Sequence, residues 1–134
     1  MSTYEEIKDS VEFGFEEYVE NNNYTAAQAS ARILEEDWWL LNEGVFSKTT
    51  FFICLALKSL ENNVIPDFVV LKLNIFLNEL VFEDYIKAED VEQLQNDIIL
   101  YKERMEKRDF KILETDETWK GRLEYIFSLK REDF

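Results

Sequence analysis

Apolar residues recur at helical spacing from the start of the chain. Tyr4, Ile7, Val11, Phe15 and Tyr18 follow one another at intervals of three or four and predict the buried stripe of a helix ending near Glu20. Ahead of the stripe, Thr3-Tyr4-Glu5-Glu6 reads as a capping box, in which Thr3 accepts from the amide three residues on and Glu6 reaches back. Asn21-Asn22-Asn23 reads as a helix stop, because Asn tolerates the left-handed region and bonds its own backbone. A second capping box, Thr25-Ala26-Ala27-Gln28, opens a second helix with Ala26, Ala29, Ile33 and Leu40 on one face and Gly44 at or just beyond its end.

Ser47 is the expected cap of a third helix reaching about Leu60, so the apolar central helix falls at about 48–61. Its segment Phe51–Leu57 is apolar all round, as a helix enclosed by others must be. Asn62-Asn63 closes it, and Pro66 with Asp67 marks the next start. Residues 67–82 fit two periods. Val69, Leu71, Leu73, Ile75 and Leu77 alternate as a strand does, whereas Val69, Val70, Leu73, Phe76, Leu77 and Leu80 form a helical stripe. Helix is preferred, because a lone strand lacks a partner. Its second face (Phe68, Leu71, Ile75 and Phe82) reads as core rather than as a homodimer surface. Val91, Leu94, Ile98, Tyr101 and Met105 predict a fifth helix, and Thr115 or Asp116 caps a sixth with Trp119, Leu123, Ile126 and Phe127 inward. The expected fold is an all-α, single-domain bundle of five or six helices spanning 1–134.

Composition supports that reading and narrows the function. With 3 Gly and 1 Pro in 134 residues, a many-turned β fold is disfavoured. The net charge is −14, yet 15% of residues are aromatic, which separates this chain from acidic disordered ones. The charge is uneven: residues 1–100 carry 20 acids against 6 bases, while 101–134 carry 9 of each. Such a field repels nucleic acid and anionic membranes and draws in basic proteins. In the neutral third, Lys102, Arg104, Lys107, Arg108 and Lys111 are interleaved with acids and make no phosphate-binding patch.

There is no histidine, which excludes Ser-His-Asp and Cys-His catalysis, His-containing zinc sites and helical di-iron sites. Three glycines at 14, 44 and 121 write no P-loop, dinucleotide turn or EF-hand. The single cysteine, Cys54, lies in the apolar Phe51–Leu57 run and is expected to be a buried structural thiol in a reducing compartment. The N-terminus lacks signal-peptide features and no 18-residue apolar stretch occurs, so a cytoplasmic protein is expected. No enzyme activity, cofactor, metal or small-molecule ligand is expected, and nothing indicates a homo-oligomer.

Two acidic segments carry the binding expectation. On the first helix, Glu5, Asp9, Glu12, Glu16 and Glu20 form a row opposite the apolar stripe, with Lys8 the sole base among them. Most of these acids lack i,i+4 cation pairing, and like charges at that spacing cost a few tenths of a kcal/mol each. The second segment is Glu35-Glu36-Asp37-Trp38-Trp39, with Glu43 beyond. If the second helix continues through it, both tryptophans point away from the Ile33 stripe. Aromatics amid carboxylates compose an interface anchor; alternatively both tryptophans pack under neighbouring helices.

Three stretches also carry a family likeness: Tyr4-Glu5-Glu6-Ile7 with Phe13, Phe15, Glu16, Glu17 and Tyr18; Tyr24–Ala29 running into Ile33–Glu36; and Phe52–Leu57. Over residues 4–80 the sequence resembles the bacterial polymorphic-toxin immunity proteins, most closely the immunity protein 3 family. The resemblance implies an immunity protein that binds and blocks a cognate toxin, often a nuclease. Two other readings stay open, a phage-type DNA-mimic or anti-restriction inhibitor and a helical protein-interaction adaptor.

Overall fold

The computed structural model describes residues 2–128. Within them the fold is all-α: six α-helices, joined at one point by a minimal two-stranded parallel sheet. The helices are α1 (Tyr4–Phe15), α2 (Ala26–Glu36), α3 (Val45–Leu60), α4 (Asp67–Glu79), α5 (Ala88–Lys107) and α6 (Glu117–Ser128); the strands are β1 (Val64–Pro66) and β2 (Lys111–Leu113).

Both predicted capping boxes form. Thr3 Oγ1 accepts from the Glu6 amide at 3.2 Å while the Thr3 amide donates to Glu6 Oε1 at 3.1 Å, and Thr25 and Gln28 do the same at 3.1 and 3.0 Å. Tyr4, Ile7, Val11 and Phe15 are buried as their spacing requires. The helix then widens, Glu16–Glu20 forming a π turn closed by the Asn21 amide on the Glu16 carbonyl at 3.1 Å. Asn23, in the left-handed region at φ 58°, turns the chain into α2.

α3 is the central helix, apolar and buried on every side from Phe51 to Ala56, and α1, α4 and α5 all pack on it. It begins at Val45, earlier than the Ser47 cap predicted. Gly44 holds the N-cap at φ 131°, a conformation open to glycine and strained for other residues. Ser47 lies buried in the first turn instead. Two further hydroxyls in this apolar setting bond back into their own helix, Thr50 to Phe46 O and Ser59 to Leu55 O, each at 2.8 Å.

Residues 67–79 are helical, so the two-period ambiguity resolves toward helix, with Val69, Leu73 and Phe76 buried on one face. The second face divides: Phe68 and Phe82 are half-buried against the core, Phe68 edge-on to Phe52 at 6.5 Å, but Leu71 and Ile75 are not core. Leu71 is 66% and Ile75 46% exposed, because α3 and β1 cover α4 from the other side.

No strand was predicted, and two form. β1 and β2 pair in parallel through Val64↔Lys111, Ile65↔Ile112 and Pro66↔Leu113, and α4 and α5 make up the crossover that parallel pairing requires. Thr115, an expected cap of the sixth helix, instead donates from its amide and hydroxyl to Asp67; Asp116 does the capping, accepting from the Thr118 amide at 2.8 Å. The core is one cluster running from Tyr4 through α3 to Ile126. Among the described residues no helix is long and apolar enough to cross a membrane.

Candidate functional site

The predicted acid row stands on the outer face of α1. Glu5, Asp9, Glu12, Glu16 and Glu20 are all exposed, because burial of the Tyr4–Phe15 stripe turns the opposite side to solvent. Glu5 accepts a hydrogen bond from Gln93 at 3.3 Å, and the neighbouring Glu17 accepts one from Asn22 at 3.3 Å. Among the described residues, none of Asp9, Glu12, Glu16 and Glu20 has an ion pair. Lys8, the one base on this helix, lies 6.0 Å from the centroid of the Tyr4 ring and lines the same hollow as Glu12 without an ion pair to it.

Helix electrostatics make this row costly. Glu16, Glu17 and Glu20 occupy the C-terminal end of the helical segment, where unpaired carbonyls concentrate negative potential and a cation is preferred; no base lies in either last turn. Each such acid costs roughly 0.3–1 kcal/mol at low salt.

One aromatic belongs to this surface. Phe13, 71% exposed, lies off the Tyr4–Tyr18 stripe and is followed by Glu16 and Glu17, three and four residues on. In the sequence it entered only as part of a family likeness. Its signal was its angular position: an aromatic displaced from the apolar stripe toward the acids of an amphipathic helix.

The second predicted segment is organised differently. α2 does not continue through the tryptophans. It stops at Glu36, Asp37 takes φ −109° and ψ 24°, and Trp38–Asn42 form a 3₁₀ turn that buries Leu40. The acids here are engaged within the fold. Glu35 pairs with Arg32 at 3.0 Å and with Arg122 of α6 at 3.7 Å, and Glu36 pairs with Arg32 at 3.2 Å and accepts from the Tyr18 hydroxyl. That carboxylate, more than burial, raises the Tyr18 pKa. Asp37 accepts from Ser10 Oγ of α1 at 2.7 Å, and burial lifts its carboxyl above the usual carboxylate range despite that bond. Glu43 accepts from the Ser2 amide, from Ser2 Oγ at 3.1 Å and from Ser47 Oγ at 3.4 Å.

The tryptophans divide. Trp38 is half-buried against the core, whereas Trp39 is 43% exposed. The Asp37–Ser10 bond holds this turn beside α1. Ser10 and Phe13 are neighbours one helical turn apart. The predicted residues thus sort into an open set on α1 (Glu12 and Glu16), a partly open Trp39, and an engaged set comprising Glu35, Glu36, Asp37, Trp38 and Glu43.

A hollow of about 340 Å³ separates α1 from α3 and α5, with Cys54 at its wall beside Tyr4, Lys8 and Asp97. The thiol is buried, and burial pushes its pKa far up, so it stays neutral. The Tyr4 hydroxyl donates to Asp97, whose carboxyl burial also raises. Among the described residues no three acids or cysteines converge to hold a metal ion.

Comparison of the chain with known protein families, with curated proteins and with solved structures finds no match.

Proposed function

We propose that this chain is an immunity protein that neutralises a cognate bacterial toxin by stoichiometric occlusion. The observation that carries the reading is the outer face of α1. Four exposed carboxylates have no cation partner among the described residues, and an exposed phenylalanine stands beside them. A helix that accepts like-charge and dipole costs without neutralising them is suited to a partner that supplies the cations. The partner is a protein with a basic surface, and a nuclease fits best because its nucleic-acid groove presents such charge. Glu12 and Glu16 would steer association, and Phe13, with Trp39 at the border, would anchor it. No catalytic step, cofactor or metal is assigned to the chain, and its place of action is the cytoplasm of the producing cell.

Co-expression with the product of the adjacent reading frame tests the class. Rescue from toxicity and co-purification at one-to-one stoichiometry are expected; no rescue and no complex would overturn it. With the partner in hand, Glu12→Gln with Glu16→Gln should slow association by about threefold to tenfold at low salt and flatten its salt dependence. Phe13→Ala should mainly speed dissociation. Comparable binding to several unrelated DNA-binding proteins would instead favour the DNA-mimic reading.

A further inference from the structure

α6 is lightly held. Of its twelve residues, Leu123 and Ile126 are buried, and its backbone packs mainly on α2. Hollows flank it on both sides. An apolar groove of about 630 Å³ separates it from α4, with Phe68 and Leu71 on one wall and Leu123 and Phe127 on the other. A second hollow, of about 350 Å³, lies between its first turn at Trp119 and the start of α2 at Thr25 and Gln28. Two side chains reach across these gaps. Arg122, 56% exposed, stands 3.7 Å from Glu35 of α2, and Lys72 Nζ of α4 lies 4.2 Å from the centroid of the Phe127 ring. Neither contact is buried, so each adds little.

The helix is also weak in itself. Gly121 stands in its middle, and a Cβ there would meet nothing within 4 Å. No packing demand explains this glycine, and it lowers the helix's own stability. Where α6 begins, the chain is fixed: Leu113 is paired with Pro66 in the sheet, and Thr115 donates from its amide and hydroxyl to Asp67. A fixed base, a weak helix and free space on either side make a hinged element. We propose that α6 is a lid, hinged just after Thr115, that opens as a unit while the other helices stay folded. Opening withdraws Phe127 from Phe52, whose ring centroid lies 6.3 Å away and which also meets Phe68 and Phe76 edge-on. It therefore uncovers an apolar, aromatic floor. A free helix of twelve residues is marginal in water, so undocking and melting are one event.

The test is native-state amide exchange of the full chain, with and without 1 M urea. Amides in the last two turns of α6 should show protection at least about tenfold below that of α3. Urea should quicken the α3 amides, which open only with the whole fold, by about fivefold or more. The α6 amides should quicken by less than about twofold, because lid opening exposes little surface. Gly121→Ala should slow α6 exchange by about fivefold, the difference in helix propensity between the two residues. The variant disturbs no packing, since position 121 faces open space. Equal protection of α6 and α3 with the same urea response would overturn the proposal, because α6 would then open only with the whole molecule. So would α6 exchange indifferent to Gly121→Ala, because single amides would then fray without the helix undocking.

Discussion

Gly14 sits where α1 and α2 come too close for a side chain. A Cβ there would lie 2.5 Å from Ile33 Cγ1 and 2.6 Å from Cδ1, and Ile33 is itself buried. Gly14→Ala gains up to about 1 kcal/mol in helix propensity but forces Ile33 off its packing, at about 1–3 kcal/mol. Net destabilisation of about 1 kcal/mol is expected in urea unfolding. The double variant with Ile33→Ala should be less destabilised than the sum of the two single changes, because removing the Ile33 branch relieves the overlap. Phe13 makes the opposite case. Exposed as it is, Phe13→Ala should leave stability within about 0.5 kcal/mol while reducing partner affinity. The sequence contained the stripe that buries Tyr4, Ile7, Val11 and Phe15, and it contained Phe13's displacement from that stripe. It did not contain Gly14's neighbour, which is set by where α2 crosses α1.

Among the elements, the ends of helices were legible where their own residues cap them and hidden where a distant residue does. Thr3, Thr25 and Asp116 act within three residues. Arg104 on α5 does not. Its guanidinium donates to the Leu60 carbonyl at 3.0 Å, to Asn63 Oδ1 at 3.2 Å and to Asp109 at 3.1 Å, tying the end of α3 to the turn before β2. The Lys111 amide then donates to the Asn63 carbonyl at 2.9 Å, beginning the sheet. Arg104→Ala should cost about 1.5–3 kcal/mol, the range for bonds to a charged group. Arg104→Lys should recover little of it, since a single ammonium cannot span three acceptors in this geometry. Amide exchange at Lys111 should quicken in both variants. This linkage also explains why three-residue strands escaped the periodicity argument: they are too short to show a period, and their pairing is created by tertiary contacts.

For the molecule as a whole, a charge of −14 means that the folded chain repels itself, so raising salt from 20 mM to 500 mM should raise Tm by several degrees. Acidification should act in the same direction at first. Burial raises the Asp37 and Asp97 carboxyls above their ordinary value, so the folded state takes up protons before the unfolded chain does. Their stabilising contribution is complete below the ordinary Asp value and is lost as pH rises through the raised one. Glu6 and Asp116 work oppositely. Hydrogen bonds from Thr3 and Thr118 hold them below the usual range, and what they contribute is lost as pH falls through it. Tm should therefore rise as pH falls from 7 toward the ordinary carboxylate range and decline below about 4, where carboxylates titrate. Asp37→Asn should flatten that rise, since an amide at that position no longer titrates. A Tm that falls steadily from pH 7 downward would show that the buried carboxyls do not govern stability in this range.

By itself the sequence determined the local and the additive properties: which faces of the helices are apolar, where capping boxes start them, that α3 is enclosed, and that the net charge is strongly negative. These follow from relations three or four residues apart, or from sums over the chain. Only the tertiary structure decided which acids remain open. Beyond the local pairs that Arg32 makes with Glu35 and Glu36, Glu35 is engaged by Arg122, Glu36 by Tyr18, Asp37 by Ser10 and Glu43 by Ser2, partners distant in sequence, whereas Glu12 and Glu16 have no ion pair among the described residues. The same holds for the α4–α6 groove. A second apolar stripe on a helix is core or surface according to whether another element covers it, and that is settled by the packing of the whole chain.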